Sequence, residues 1–268
     1  MSGRPMVALV AGEPGVGKTR LVTEVLANVS ATALWATCSD GEVVPPYWHW
    51  VQLVRGAIAH VGADGVERLA DRERTELTRL VEQVQSADVS ADARFRLFDA
   101  VVELFSLATR NEPLVIVLDD LHWADEASIA LLRFVAGDVR PGRLAVVGTY
   151  RDSDIDSSHP LARCLDELLR DGRHIALTGL TRREVSELAN SLSGGDAELA
   201  DVASLLHRRS GGNPLFVREL AACCTPTVSS TEAERGWRPS CRRVFVPSSV
   251  GVSVRCPHRF AECFRLPR

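Results

Sequence analysis

The single lysine of the chain lies in a sequence motif in which an arginine could not replace it. Of the 31 basic residues 30 are arginine, and the single lysine is Lys18. It belongs to the octapeptide Gly12-Glu13-Pro14-Gly15-Val16-Gly17-Lys18-Thr19, which fits the pattern G-x-x-x-x-G-K-[ST] in full. In such a loop a compact ammonium reaches phosphate oxygens from inside a ring of backbone N–H groups, where a broad planar guanidinium does not fit. The spacing predicts a polyphosphate site.

The flanks of this loop have the order that a phosphate-binding turn requires. Met6–Ala11 reads as a short buried strand, and an apolar face recurs at helical spacing over residues 19–29. That face consists of Leu21, Val22, Val25, Leu26 and Val29. The start of the helix then points its N–H groups at the anion, and the Thr19 hydroxyl becomes a ligand for Mg²⁺. The alternative is a glycine-rich turn that merely ends a strand.

Two carboxylates follow a later apolar run. Residues 114–118 predict a central parallel strand, and Asp119 and Asp120 come at its carboxyl end, where ligands bind in open α/β sheets. We expect Asp119 to hold Mg²⁺ through water and Asp120 to orient or deprotonate the attacking water. The alternative is that both carboxylates only cap the next helix, which contains Ile129, Leu132 and Phe134.

The remaining periodicity predicts the scaffold. Apolar runs near 32–38, 144–149 and 174–178 alternate with helical stretches, which favours an α/β fold with a parallel sheet covered on both faces. The strand 144–149 brings Arg151 to the same edge as Asp119, where its charge can sense a γ-phosphate. The alternative for Arg151 is a surface ion pair with a neighbouring aspartate.

A helical insert is predicted between the second and third strands, at about residues 48–110. Residues 71–82 carry the charged face of a solvated helix, and a later apolar face comprises Phe95, Phe98, Val101, Val102 and Phe105. The aromatic residues Tyr47, Trp48 and Trp50 could form a partner-binding surface, but beside Val51 and Leu53 we favour a core role.

Four segments together resemble a known family. The block Leu118-Asp119-Asp120-Leu121-His122-Trp123-Ala124-Asp125 resembles the Walker B region of STAND-class signalling ATPases, specifically the bacterial AAA-16 type of large LuxR-like and cyclase-linked regulators. Residues 45–53, 146–151 and 210–216 are similar to its Tyr-Trp, Thr-aromatic-Arg and Gly-x-Pro segments. The likeness covers residues 5–222. It implies a P-loop NTPase three-layer sandwich that binds ATP or ADP with Mg²⁺, in which Pro214 lies against the adenine.

After the sheet, the pattern predicts a partial helical lid. Thr181-Arg182-Arg183-Glu184 is a capping box that opens a helix with Val185, Leu188 and Leu192 inward. Further helices are expected over 198–208 and 214–222, the second with Asn213 as its cap and Pro214 at its first position. The expected organisation is an ATPase domain over 1–179, a lid over 180–222 and an irregular tail over 223–268.

The composition of this tail differs from the rest of the chain. Residues 225–268 carry eight arginines against three glutamates, and the segment from 223 onward holds five of the seven cysteines. The spacing of Cys241, Cys256, His258 and Cys263 lacks the paired knuckles of a zinc site, and cytosolic disulfides are disfavoured. We hypothesise a truncated module whose tail is read out of frame. Translation of the flanking DNA in all three frames tests this, because another frame should resume a helical ATPase pattern after residue 222.

Charge and hydropathy limit the partners. A net charge of -4 disfavours direct nucleic-acid binding, and the longest apolar stretch near the start, six residues, is too short for a membrane span. We expect a cytoplasmic, weakly ATP-hydrolysing regulatory switch without a DNA-binding domain, and the resemblance implies self-association or a regulatory protein partner. The alternatives are a P-loop small-molecule kinase and a non-functional fragment. His122 and Trp123 are assigned no catalytic role.

Overall fold

The computed structural model describes residues 6–38, 45–82, 90–138, 143–170, 172–192 and 203–224, together with the pairs 244–245 and 253–254. The chain divides into two compact units, one of residues 1–14 and 18–177 and one of residues 15–17 and 178–268. Most of the tail, with its cysteines beyond position 224, lies outside the described residues, so the frame-shift, zinc and disulfide interpretations stay untested there. No described helix has the length and apolarity needed to cross a bilayer.

A five-stranded parallel sheet forms the centre of the first unit. Its strands are β1 (Met6–Ala11), β2 (Thr32–Thr37), β3 (Leu114–Asp119), β4 (Leu144–Tyr150) and β5 (Arg173–Ala176). They lie in the order β2-β3-β4-β1-β5, and every neighbouring pair is parallel. The predicted α/β fold is therefore confirmed, and each predicted strand begins and ends within two residues of the observed one.

Helices cover both faces of this sheet because its central strands are apolar on both sides. The helices are α1 (Lys18–Ala27), α2 (Trp48–Val66), α3 (Asp71–Val81), α4 (Ala91–Ala108), α5 (Glu126–Asp138) and α6 (Leu165–Leu169). One cluster joins Leu9, Ile116 and Val146 of the sheet to residues of α2 to α6. On the opposite face, Val10 and Val117 pack with residues of α1. Successive residues of one strand thus enter opposite layers.

The face of α1 is narrower than its sequence predicts. Val22 is buried and Leu26 is partly buried, but Val25 and Val29 are 53% and 49% exposed. The helix ends at Ala27, where the Asn28 N–H donates to the Val25 carbonyl three residues back, so Val29 lies beyond the helix. The prediction of an inward Val25 and Val29 was wrong, because Val25 lies on the exposed side of α1 and Val29 follows the end of the helix.

The insert between β2 and β3 consists of α2, α3 and α4. Trp50 is fully buried and donates its indole N–H to the Ser128 carbonyl at 3.0 Å, which confirms the core role for this aromatic residue. Glu76 on the charged helix α3 is largely buried. Its Oε1 lies 3.3 Å from Arg79 Nη1 and 3.4 Å from Arg96 Nε. Phe95, predicted inward, is 58% exposed at the start of α4 and meets Phe134 only edge-on.

The second unit contains three described helices, α7 (Arg182–Leu192), α8 (Ala203–Ser210) and α9 (Pro214–Cys224). Their apolar cluster consists of Val185, Ala189, Leu206, Val217 and Leu220. Leu192 is 38% exposed at the end of α7, so its predicted inward position was wrong. Two short strands, β6 (Val244–Phe245) and β7 (Ser253–Val254), pair antiparallel.

Local capping in this unit follows the sequence. The Thr181 N–H donates to Glu184 Oε2 at 2.7 Å, and the Glu184 N–H donates to Thr181 Oγ1 at 3.3 Å. This reciprocal capping box opens α7 as predicted. Asn213 accepts from the Leu215 N–H at 3.1 Å, and Pro214 takes the first position of α9.

Candidate functional site

Three loops leave the same edge of the sheet. The glycine-rich loop follows β1, Asp119 ends β3, and Arg151 follows β4, which lies between β1 and β3. Because all three strands are parallel, their carboxyl ends share one edge of the sheet. The topology therefore gathers residues that are about 100 positions apart in the chain.

The glycine-rich loop is shaped by left-handed backbone positions. Gly15 has φ +77° and Gly17 has φ +107°, a region in which a side chain would be strained. Between them Val16 is buried, whereas Glu13 and Pro14 are exposed. The two left-handed glycines turn the chain sharply from the end of β1 into the first turn of α1.

Lys18 begins α1 and reaches back over this loop. Its Nζ donates to the carbonyl of Gly12 at 2.8 Å and to that of Glu13 at 3.1 Å, and the residue is 6% exposed. Burial lowers the pKa of Lys18, while the charge of Asp120 raises it. The carbonyls thus hold a buried ammonium that is available for a stronger anionic partner.

Two threonines flank the carboxylate of Asp119. Thr19 Oγ1 donates to Asp119 Oδ2 at 2.9 Å, and Thr149 Oγ1 donates to Asp119 Oδ1 at 2.5 Å. The Thr149 hydroxyl also accepts from the Asp120 N–H at 2.9 Å. This chain of contacts fixes Asp119, which is 5% exposed, and the backbone of Asp120 to both α1 and β4.

Thr19 and Asp119 fit a magnesium ion that also binds phosphate. Both offer hard oxygen ligands, and their oxygens already lie side by side at 2.9 Å. Mg²⁺ typically takes one or two protein oxygens and completes its shell with phosphate oxygens and water. Within the described ranges no group of three or more His, Cys, Asp or Glu side chains could hold a metal by itself.

The helix after β3 has its own cap, and that cap is neither Asp119 nor Asp120. Asp125 accepts from the Ser128 N–H at 2.9 Å and from the Ser128 hydroxyl at 2.6 Å, just before α5 begins at Glu126. The alternative in which Asp119 and Asp120 serve only as caps is wrong. Asp120 instead adopts a left-handed conformation with φ 60° and ψ 47°.

Arg151 emerges at the predicted edge and is partly exposed. Its guanidinium lies 3.5 Å from Asp154 Oδ2, with 30% of the Arg151 side chain exposed. Its charge acts to lower the pKa of Lys18, an effect smaller than those of burial and of Asp120. The residue therefore has a surface ion pair and also influences the charge of the buried site.

Two residues of this edge were not assigned roles from the sequence. The sequence indicates Thr149 only as part of the segment 146–151, and nothing local reveals that it contacts both Asp119 at the end of β3 and Asp120 just after it. Asp125 could have been found from its spacing to Ser128, the N-cap pattern of a helix start. Pro214 belongs to the second unit and begins α9.

The comparisons with known proteins agree with this architecture. The family model described as "AAA ATPase domain" matches residues 1–147. "Uncharacterized protein R02095" of Rhizobium meliloti (strain 1021) is 24% identical over 252 residues, covering 85% of this chain and 24% of that protein. The chain thus spans about a quarter of this curated relative.

Solved structures are similar at the level of the fold. A STAND protein with a tetratricopeptide repeat sensor, PH0952 from Pyrococcus horikoshii, has a TM-score of 0.51 and 18% identity. The match covers 84% of this chain and 29% of that one. A point mutant of RuvB from Thermotoga maritima matches with a TM-score of 0.43 and 17% identity, covering 81% of this chain and 53% of that one. With its parallel sheet and a family match over more than half its length, the chain belongs to the AAA ATPase domain family.

Proposed function

We propose that this chain is an ATP-binding and ATP-hydrolysing switch module of a STAND-class, LuxR-like or cyclase-linked regulator. In this proposal the glycine-rich loop is a Walker A motif and the 118–125 block a Walker B motif. The module works in the cytoplasm and acts through self-association or a regulatory protein. Residues 180–222 serve as a partial lid, and the tail from 223 is a frame-shifted remnant.

One contact supports this proposal above the others. Thr19 Oγ1 lies 2.9 Å from Asp119 Oδ2, although the two residues are 100 positions apart. A hydroxyl from the phosphate loop beside a carboxylate from β3 is the arrangement needed to hold a metal that also binds phosphate. A glycine-rich turn that merely ended a strand would need no such partner.

The proposed chemistry uses the chain's residues for binding and orientation. Lys18 exchanges its two carbonyl partners for β- and γ-phosphate oxygens, and loop N–H groups from Gly15 to Thr19 surround the phosphates. Mg²⁺ supplies charge neutralisation and alignment of the phosphates. Asp120 orients the attacking water or accepts its proton, which is why its fixed backbone matters.

Arg151 and Pro214 complete the proposed switch. Arg151 leaves Asp154 for the γ-phosphate, so it distinguishes ATP from ADP by a contact that only ATP offers. Pro214, on the first turn of α9, contacts the adenine and connects the lid to the nucleotide. Each nucleotide then favours a different state only through such unequal contacts.

Nucleotide binding by Lys18→Ala tests the proposal. We expect the wild-type protein to bind Mg-ATP and release phosphate slowly, and Lys18→Ala to lose at least about tenfold in affinity. Arg20→Ala is the matched control, because Arg20 lies in the same helical turn with its side chain 72% exposed and pairs with Glu24. Equal binding by wild type and Lys18→Ala rejects the phosphate-loop assignment.

The alternatives give different results in the same assay. A switch releases phosphate to water without an acceptor, and Asp120→Asn slows release while leaving binding intact. A small-molecule kinase needs an added acceptor for turnover. A non-functional fragment folds poorly by circular dichroism and binds no nucleotide, and the absence of binding rejects the proposal.

A further inference from the structure

A buried histidine lies between two carboxylates beside the proposed site. The His122 side chain is fully buried, with Nδ1 3.8 Å from Asp120 Oδ1 and Nε2 3.8 Å from Asp154 Oδ2. Neither ring nitrogen has a hydrogen-bond partner among the described residues. Burying polar atoms without hydrogen-bond partners costs free energy. We therefore expect the imidazole, which lies between two carboxylate acceptors, to donate its N–H to one of them.

The surrounding contacts keep the ring in place. The ring packs against Trp123 with centroids 5.1 Å apart. His159 accepts the Leu161 N–H at Nδ1, which leaves a proton on Nε2 to donate to the His122 carbonyl at 3.1 Å. The backbone and the ring of His122 are thus both held, and only the proton position is free.

The charges around His122 decide how many protons it carries. Burial lowers its pKa, the carboxylates of Asp120 and Asp154 raise it, and the cations Arg151 and Lys18 lower it. A neutral imidazole has one N–H and can donate to only one of the two carboxylates. Asp154 already has a donor that remains when Arg151 leaves, because the Ser153 hydroxyl donates to Asp154 Oδ1 at 2.9 Å. The single proton is therefore needed at Nδ1, towards Asp120.

We propose that His122 is a positioning residue, whose Nδ1–H donates to the Asp120 carboxylate and sets its direction towards the attacking water. The inference rests on the proposed ATPase function. Thr149 fixes the Asp120 N–H and His122 fixes the Asp120 carboxylate, so both ends of the residue have partners. The 3.8 Å gap closes when Asp120 turns to bind the water.

Three substitutions separate positioning from packing. His122→Asn places an amide N–H near the position of Nδ1, His122→Gln near that of Nε2, and His122→Phe keeps the ring without a donor. We expect kcat to fall at least about tenfold in His122→Phe and His122→Gln, because misdirecting a catalytic group by about 1 Å costs on that order or more. His122→Asn should stay within about threefold of wild type, with KM and the Mg-ADP dissociation constant nearly unchanged in all three.

His49→Phe is the control for burial itself. His49 is also buried and lies 3.6 Å from the carboxylate of Asp125, without a hydrogen bond at either ring nitrogen among the described residues. We expect this variant to change thermal stability and to leave kcat within about threefold. If the ring matters only for packing, His122→Phe is the most active variant and His122→Asn the least, and the inference is overturned.

A spectroscopic readout keeps the inference independent of turnover. Long-range ¹H–¹⁵N spectra of the histidine rings at about pH 7.5, assigned with His122→Asn, should show the Nδ1–H tautomer for His122 and the Nε2–H tautomer for His159. An Nε2–H tautomer at His122 overturns the inference even if the enzyme is active. Absence of ATP binding and hydrolysis in wild type rejects the proposed function instead, whatever the tautomer.

Discussion

At the scale of single residues, Thr149 links the two carboxylate residues of the candidate site. It is fully buried, donates to the Asp119 side chain and accepts from the Asp120 N–H. A hydroxyl is the one small group that does both, because it carries a donor and two acceptor lone pairs. The side chain of Asp119 and the left-handed backbone of Asp120 therefore depend on the same oxygen atom.

Replacing this hydroxyl by a methyl group of equal size should affect catalysis and stability together. We expect Thr149→Val to lower the rate of phosphate release at least about tenfold and the free energy of unfolding by about 1–3 kcal/mol, because a buried N–H and a carboxylate lose their partner. Phosphate release and urea unfolding measure the two effects. Thr149→Ser retains the hydroxyl and should recover most of the rate; equal loss in both variants would show that the methyl group matters instead.

The sequence predicted the residues of this edge better than the contacts between them. Lys18, Thr19, Asp119 and Asp120 follow from local patterns at strand ends. The Thr149 contacts could not be read from the sequence, since they depend on the pairing of β3 with β4, which brings positions 29 and 30 residues apart together. Local sequence patterns indicate which chemistry the residues can perform, whereas the register of the sheet decides which side chains are in contact.

At the scale of elements, Asp125 joins the insert to the helix after β3. It caps α5 through Ser128, accepts from the Tyr47 N–H at 3.3 Å just before α2, and lies 3.6 Å from His49. Burial raises its pKa, but the contacts with His49 and the Ser128 hydrogen bonds outweigh burial and bring the pKa to about 2. One ionised carboxylate therefore stabilises the starts of two helices.

The pH dependence of stability should reveal this carboxylate. Its pKa in the folded chain is below its ordinary value of 3.8, so its contribution is fully present above about pH 5 and is lost as pH falls towards 2. We expect Asp125→Asn to lower the melting temperature by about 2–6 °C at about pH 7, for a loss of about 1–2 kcal/mol. The difference from wild type should narrow below about pH 4.

The neighbouring Glu126→Gln serves as the control for this measurement. The Glu126 side chain is 76% exposed and its ion pair with Arg163 spans 3.6 Å, so its loss should cost less than about 0.5 kcal/mol. A gap between wild type and Asp125→Asn that stayed constant from about pH 7 to about pH 3 would contradict the assigned role of Asp125.

Two adjacent glycines allow a matched test in the second unit. Gly211 and Gly212 have φ +61° and +79°, and the Leu180 N–H donates to the Gly212 carbonyl at 2.7 Å. A Cβ on Gly211 would meet open space, whereas one on Gly212 would clash with the Leu180 backbone carbonyl. Gly211→Ala should cost about 1 kcal/mol from backbone strain alone. Gly212→Ala should lower the free energy of unfolding clearly more, as measured by chemical denaturation. Equal losses in the two variants would contradict the close approach of Gly212 to the Leu180 backbone.

At the scale of the whole molecule, the strands of the sheet were predictable, because apolar runs between turn residues can be recognised without knowledge of long-range contacts. Details at helix surfaces were less predictable. Val25, Phe95 and Leu192 all fit helical periodicity, yet all three are more than a third exposed. A helix that meets its neighbour along one line buries a narrower stripe than the apolar pattern suggests. The division into two compact units also means that heating need not give a single two-state transition.

Ligand binding should therefore raise the melting transition of the sheet-containing unit. Excess Mg-ADP at about 100 times its dissociation constant stabilises by about 2.7 kcal/mol, or about 5–10 °C for a unit of this size. Chelation of Mg²⁺ should reduce the shift, since Thr19 and Asp119 then lose their common metal, and Lys18→Ala should abolish it. Arg20→Ala should retain the full shift. A shift of equal size in Lys18→Ala would mean that the nucleotide stabilises the protein from somewhere other than the loop after β1.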